Sequence, residues 1–309
     1  MAAATDKTLI VVAGPTAVGK TAAAIKLAQH FGTEIVSADS RQFYKEMSIG
    51  TAKPTIDELA AAPHHFIGSH SVEENFTVGD FEKAGVNAIN EIFRFKNIAV
   101  LVGGSGLFVK AICEGFDELP SAPAEVREKL NIQLKEHGID SLQLRLKEAD
   151  PVYYAEVDIN NPQRVIRALE VFDATGKPFS SFRSANVMSR PFRIVKIGLN
   201  MPREILYDRI NQRVDAMIAD GLVDEVKSLL PYRHLNALNT VGYTEIFDYL
   251  EGKINLPTAI ELVKQHTRQF AKRQLTWFNN DKEIHWINPS EDDVLKVAKR
   301  LLETSNPGN

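Results

Sequence analysis

Three observations predict an α/β fold, a parallel sheet with helices on both faces, interrupted by a helical insertion. First, β-branched runs alternate with helical patterns through the first hundred residues, starting at Leu9-Ile10-Val11-Val12-Ala13. Second, these runs end in glycine or small polar residues, as suits the carboxyl edge of a parallel sheet, where ligands bind. Third, strand patterns stop from about Leu119 to Arg190 and return at Arg193 to Leu199.

The elements follow in order. Thr21 to Phe31 has the alanine and leucine spacing of a helix, and Glu34-Ile35-Val36-Ser37 reads as a second strand. Thr77 to Phe95 reads as a helix whose start is marked by Thr77 and Asp80, and Ile98 to Val102 as a strand ending in Gly103-Gly104-Ser105-Gly106. The insertion opens on Pro120-Ser121-Ala122-Pro123 and carries helical runs over Glu125 to His137 and Ser141 to Ala149. Its last helix starts at Asn161-Pro162 and stops at Gly176-Lys177-Pro178. After the strand Arg193 to Leu199, Pro202 opens a helix to Asp220 with Gly221 placed to cap it. Tyr243 to Leu250 and Thr258 to Phe278 are predicted helices, Ile284 to Ile287 a last strand and Asp292 to Glu303 a closing helix. The expected division is a core domain over 1–118 and 191–309 and a helical insertion over 119–190.

Between the first strand and helix lies Gly14-Pro15-Thr16-Ala17-Val18-Gly19-Lys20-Thr21, which fits G-x-x-x-x-G-K-[ST] in the strand, loop, helix context the motif requires. The core is therefore expected to be P-loop kinase-like, a fold that commonly binds ATP and other nucleotides. Backbone N–H groups and the helix N-terminus of such a loop face an anion, so these residues are expected to bind phosphate or diphosphate. Lys20 reaches the terminal phosphates, and the Thr21 hydroxyl can hold Mg²⁺.

Composition narrows the setting. The 309 residues, 44% hydrophobic and 25% charged, can bury a large core. No apolar stretch is long enough to span a bilayer, and MAAATDKT carries no leader pattern, so a cytoplasmic protein with no membrane partner is expected. Cys113, the only cysteine, excludes an intrachain disulfide and a cysteine cluster for zinc. A net charge of -4 does not advertise nucleic acid, so such a partner needs a local basic patch.

Two departures from a nucleotide-hydrolysing site narrow the chemistry. The apolar run Ile98 to Val102 ends in glycines, where such enzymes carry an acidic residue that helps hold Mg²⁺. The carboxylate at that edge is Asp39, flanked by Ser37 and Ser40, which suits a general base and equally suits a turn or cap residue. Arg209 and Arg213 stand i, i+4 on one helix face, able to clamp a diphosphate or to pair with Asp208 or Asp215. In Lys264 to Phe278, Lys264, Arg268 and Lys272 recur every four residues beside Arg273, with Phe270 and Trp277 on the other face. That stripe suits a nucleic-acid backbone or a solvated face with a packed aromatic side. Gln163, Arg164 and Arg167 make a second, weaker cluster.

Several separate stretches resemble the tRNA dimethylallyltransferases: GPTAVGKT, EIVSADSRQFYKEMSIGTAKP, VLVGGSGLFVKAICEG, NNPQRVIRALEV and TRQFAKRQLTWF. The resemblance covers nearly the whole chain, and the second and third stretches are far more specific than the phosphate loop. It implies transfer of a dimethylallyl group from dimethylallyl diphosphate to N6 of adenosine 37 of tRNA, next to the anticodon. In that reading Asp39 takes the N6 proton and Ser105 orients the amine or the carboxylate. Lys20, Thr16, Thr21, Arg213 and the loop amides stabilise the departing diphosphate with Mg²⁺, and Ser37 joins the diphosphate site. Carried over by position, tRNA contacts fall on Asp39, Ser40, Arg41, Gln42, Ser105, Arg127, Gln163, Arg164, Val165, Ile166, Arg167, Arg268, Lys272 and Arg273. The insertion is expected to clasp the anticodon stem-loop, and the target base to be flipped into a channel.

The match has departures. The turn reads GGSG where a threonine is frequent, and Thr244 stands where some members carry arginine. The sequence lacks the zinc module that eukaryotic members append, so a bacterial form, without zinc and monomeric, is expected. A small-molecule kinase is the competing reading, and it calls for an acid after Val102. A nucleotide-dependent RNA-binding switch would tolerate loss of Asp39. An isopentenyltransferase acting on free adenine nucleotides would need neither insertion nor basic stripe.

Overall fold

The computed structural model describes residues 7–115, 119–183 and 188–304. The leader reading over 1–6 and the expected domain edge at 118 lie outside the described residues. β1 (Thr8–Ala13) leads through the phosphate loop into α1 (Lys20–Phe31), followed by β2 (Ile35–Ser37), α2 (Ile56–Ala61), β3 (His64–His65), α3 (Val78–Phe95), β4 (Ile98–Gly103) and α4 (Gly106–Glu114). Then come α5 (Ala124–Ala149), α6 (Pro151–Glu156) and α7 (Pro162–Thr175). The chain continues with β5 (Arg193–Leu199), α8 (Arg203–Ala219), α9 (Leu222–Ser228), α10 (Tyr243–Leu250), α11 (Leu256–Phe278), β6 (His285–Ile287) and α12 (Val294–Thr304).

Contacts divide the chain into two compact units, one formed up to Glu114 and from Ser189, the other from Gly115 to Met188. In the first, the strands pair in parallel in the order β3-β2-β4-β1-β5-β6. β1 is buried along its whole length because helices cover both sides of it, and its side chains alternate between two cores. Ile10 and Val12 pack with Ala24 and Leu27 of α1 and Ile210 of α8. Leu9 and Val11 pack with Phe81 and Ile89 of α3 and Ile112 of α4. Three strands, β1, β2 and β4, thus end side by side, which puts the phosphate loop, Asp39 and the Gly103 to Gly106 turn along one edge.

A smaller core joins α9, α10 and the start of α11 to Tyr44 and Met47, in the segment after Asp39. The Glu225 carboxylate of α9 accepts N–H bonds from Ser48 (2.9 Å), Ile49 (2.7 Å) and Gly50 (3.0 Å), and the Tyr243 hydroxyl donates to it at 2.6 Å. Burial and this carboxylate together push the Tyr243 phenol well above its ordinary range. Glu225→Ala strands these donors and is expected to cost about 2 kcal/mol in urea unfolding, with Tyr243→Phe costing less because the three backbone bonds remain.

In the second unit, α5 and α7 bury Leu130, Leu142, Val165 and Leu169 against one another. The two helical runs expected over Glu125 to Ala149 form one element kinked at Gly138, whose φ of 73° and ψ of -179° leave the helical region. α7 starts on the Asn161 side chain and ends on Gly176, as its caps indicate. Among the described residues no helix is long and apolar enough to cross a membrane.

Candidate active site

The phosphate loop is shaped by its backbone. Gly14 and Gly19 have φ of 147° and 103°, and Ala17 also takes a left-handed φ of 64°, which turns successive amides inward. Pro15 and Ala17 are buried, Val18 is fully so within the first core, and Gly19 ends the loop at the start of α1. Lys20 Nζ donates to the Pro15 carbonyl at 2.7 Å, folding back over the loop. Burial lowers its ammonium to a pKa of about 8; the charge of Asp39 opposes that shift and the charge of Arg213 adds to it. Lys20, Asp39 and Arg213 therefore share one electrostatic neighbourhood. The Arg213 guanidinium is likewise lowered, by burial first and by Arg209 next, against Glu58 and Asp39.

Neither acid that could have claimed the two arginines does so. Asp208 accepts from Gln212 at 2.7 Å, and Asp215 pairs with Lys264 at 2.8 Å. Arg209 lies beside the loop, with Nη2 3.9 Å from where a Cβ on Gly19 would stand.

Asp39 fills the turn role that its sequence position allowed and keeps one oxygen open. One oxygen, Oδ1, accepts from Arg41 N at 3.1 Å and closes a local turn, while among the described residues Oδ2 has no hydrogen-bond partner. Ser37 is buried, and its Oγ lies 3.4 Å from Asp39 N. Ser105 Oγ accepts from Ser40 N and donates to Ser40 Oγ, both at 3.1 Å, so it braces the residue after Asp39 and not the carboxylate itself. Gly103 explains the missing strand-end acid, since a Cβ there would stand 2.6 Å from the Ala38 carbonyl oxygen. β2 and β4 approach too closely at their ends for any side chain.

The residues assigned to tRNA fall in three places. Arg41 donates to the carbonyls of Asn236 (3.3 Å) and Asn239 (3.4 Å), and Gln42 Nε2 to those of Thr51 and Ala52, so both hold loops. In the insertion unit, Arg127 donates to Gln163 Oε1 at 3.3 Å, and the buried Glu170 draws in Arg127 (3.4 Å) and Arg167 (3.7 Å). Arg164 is exposed on the same helix. Val165 and Ile166 have their side chains buried in the insertion core, so the surface of this stretch is made by its polar members.

On α11 the basic stripe is also rearranged. Lys264 is tied to Asp215 and Glu261, and Arg268 donates to Asn211 at 2.6 Å. Of the two alternatives for this helix, the packed aromatic side is realised only in part, since one edge of Trp277 lies against Gly106. Phe270 and Trp277 are exposed, and the Arg273 guanidinium lies 5.8 Å from the Phe270 ring centroid. Gln269, Lys272, Arg273, Thr276, Trp277 and Asn280 line an open groove of about 470 Å³, mixing cations with a stacking surface. One site residue has no counterpart in the sequence reading. Gln274 is buried, accepting from Thr16 N at 2.8 Å and donating to the Gly104 carbonyl at 2.9 Å. The one trace of it was a polar residue on the apolar arc of Ala271 and Phe278.

Comparison with known proteins gives a consistent family. The family model described as IPP transferase matches residues 42–281. The chain is 55% identical to a tRNA dimethylallyltransferase of Christiangramia forsetii, covering 92% of this chain and 94% of that one. It is 48% identical to tRNA dimethylallyltransferase 1 of Bacteroides thetaiotaomicron, over 95% and 96% of the two chains. Among solved structures, a tRNA isopentenylpyrophosphate transferase of Bacillus halodurans superposes with a TM-score of 0.71 at 37% identity, covering 96% of this chain and 97% of that one. A eukaryotic dimethylallyltransferase acting on tRNA superposes with a TM-score of 0.79 at 29% identity, covering 97% of this chain and 79% of that one.

Proposed function

Because the chain belongs to the IPP transferase family, we infer that it is a tRNA dimethylallyltransferase, moving a dimethylallyl group from dimethylallyl diphosphate to N6 of adenosine 37. The observation that carries the chemistry is the cluster of Lys20, Arg213 and Asp39 at one sheet edge, an anion seat beside a carboxylate with an open oxygen. In the step, the N6 lone pair attacks C1 of the prenyl group, a C–N bond forms and the C1–O bond breaks. Diphosphate leaves with the bonding pair, and the N6 proton passes to Asp39. Lys20, Arg213 and the amides of Gly14 to Thr21 counter the charge that builds on the leaving oxygens.

Attack at carbon needs no activated water, which accords with a strand end that has no room for an acid. The residues present fit Mg²⁺ in a limited way. Thr21 Oγ1 makes no hydrogen bond within the described residues, and they contain no cluster of three metal-ligating side chains. Mg²⁺ would be held by Thr21 and by diphosphate and water oxygens, as this ion prefers, and would supply positive charge against the diphosphate. The RNA side is proposed to use Lys272, Arg273 and Trp277 on α11, with Arg127, Gln163, Arg164 and Arg167 of the insertion unit holding the anticodon stem. As proposed, the protein works as a cytoplasmic monomer without zinc.

Labelled dimethylallyl diphosphate with Mg²⁺ and either unmodified tRNA or AMP tests this reading. Label on the adenosine beside the anticodon supports it, label on AMP alone reassigns the acceptor, and label on neither rejects it. Replacing Lys272 and Arg273 together by alanine should weaken tRNA binding and reduce the slope of log Kd against log salt by about 1.5, while diphosphate affinity holds. A loss confined to diphosphate binding would mean that α11 serves the other ligand.

A further inference from the structure

We propose that Gln274 is a positioning residue that sets the spacing between the diphosphate seat and the adenine side of the site; this rests on the function inferred above. Each of its two polar atoms has a backbone partner. Oε1 accepts from Thr16 N in the phosphate loop, and Nε2 donates to the Gly104 carbonyl in the turn that carries Ser105. Both partners are backbone groups of fixed polarity, so the amide has one possible orientation. At this length only glutamine both accepts and donates. Glutamate accepts without donating, lysine donates without accepting, and leucine or methionine leaves both backbone groups without a partner.

The bond pair joins the ends of β1 and β4, and the connection runs on. Ser105 is bonded to Ser40, and Ser40 follows Asp39, so the base is tied through the turn to the loop that seats the leaving group. Gly104 is shaped around this bridge, because a Cβ there would run into Gln274 Nε2 and stand 3.4 Å from Lys20 Nζ. One turn further along α11, the Trp277 indole lies so close to Gly106 that a Cβ there would overlap it. The helix whose outer face offers Lys272, Arg273 and Trp277 thus holds the inner parts of the site from behind.

In-line displacement needs N6 close to C1 with the leaving oxygen behind it. An error of about 1 Å in that spacing costs on the order of 10²-fold in rate without weakening either substrate's own contacts. Gln274 should therefore act on kcat and spare both affinities. The test is single-turnover transfer to tRNA from pre-bound dimethylallyl diphosphate, normalised to sites counted by diphosphate binding so that unfolded protein does not enter the rate. Gln274→Leu and Gln274→Met are each expected to lose about 10²-fold in this rate, with the Kd of both substrates within about threefold of the unaltered protein. Gln274→Glu keeps the bond from Thr16 but sets a carboxylate against the Gly104 carbonyl and beside Lys20, so it should lose diphosphate affinity as well. Unchanged rates in the leucine and methionine variants overturn the proposal, as does a rate loss fully matched by loss of diphosphate binding. Absence of transfer by the unaltered protein rejects the inferred function itself and is told apart by that control.

Discussion

Asp39→Asn is expected to slow single-turnover transfer by about 10²- to 10⁴-fold while leaving both substrates bound. Asparagine keeps the Oδ1 acceptor that closes the turn on Arg41 N at 3.1 Å, so the local backbone is preserved. What it loses is the ability to take a proton through the open Oδ2. A residue that served only the turn would give unchanged turnover, and that result would remove Asp39 from the base role. The charge change sharpens the test. Asp39 supports the protonated state of Lys20, so its removal lowers the lysine further while also taking a negative charge away from the diphosphate seat. The two effects on affinity oppose each other, and the rate carries the signal. Measured in quenched flow with both Kd values determined separately, the variant divides chemistry from binding.

The parts of this molecule legible in its sequence are those where local pattern and tertiary environment agree. β1, the loop and α1 could be read because a strand buried on both faces must be apolar throughout, and because Gly14, Gly19 and Lys20 have a fixed spacing. β5 was readable from Ile194, Val195, Ile197 and Leu199 despite Lys196 among them, and α3, α7 and α10 had caps or amphipathic spacing. β3 was not, since two half-buried histidines at a sheet edge carry no apolar run. α2 went unread although Thr55 and Glu58 form a capping box, because it buries none of its residues and so has no hydrophobic period. α6 and α9 are one to two turns long, below the length at which helical period stands out. In the site, charged groups could be given roles from their motifs, whereas Gln274, though inside TRQFAKRQLTWF, could not. Its role depends on Thr16 and Gly104, which lie 258 and 170 residues away, and only the sheet brings these together behind α11. Val165 and Ile166 show the converse, since a contiguous stretch is carried over whole in sequence while helical geometry turns the side chains of its middle into the core.

Lys20 gives the second large effect, because its ammonium is held near 8 in the protein without ligand. Burial disfavours the charge and Arg213 adds to that, while Asp39 opposes it. A bound diphosphate brings negative charge beside the same group and raises its pKa in the complex. The sign follows by linkage. Below about pH 8 the lysine is protonated with and without ligand, and affinity is flat; above it, binding must take up a proton, and affinity falls about tenfold per pH unit until the pKa of the complex is reached. Titration calorimetry with inorganic diphosphate across about pH 7 to 9.5, in two buffers of different ionisation enthalpy, should show this slope and the matching proton uptake once the ionisation of diphosphate itself is subtracted. Lys20→Met should abolish both and lower kcat/KM for dimethylallyl diphosphate by about 10²- to 10³-fold. Folding has the opposite sign. A lysine whose pKa lies below its ordinary 10.5 when folded releases protons on folding, so its charge opposes the native state most below about pH 8 and least above 10.5. Lys20→Met should therefore fold at least as stably at pH 7 as the unaltered protein while losing most of its turnover, and a variant that lost stability and activity together would contradict the placement of a strained cation at the anion seat.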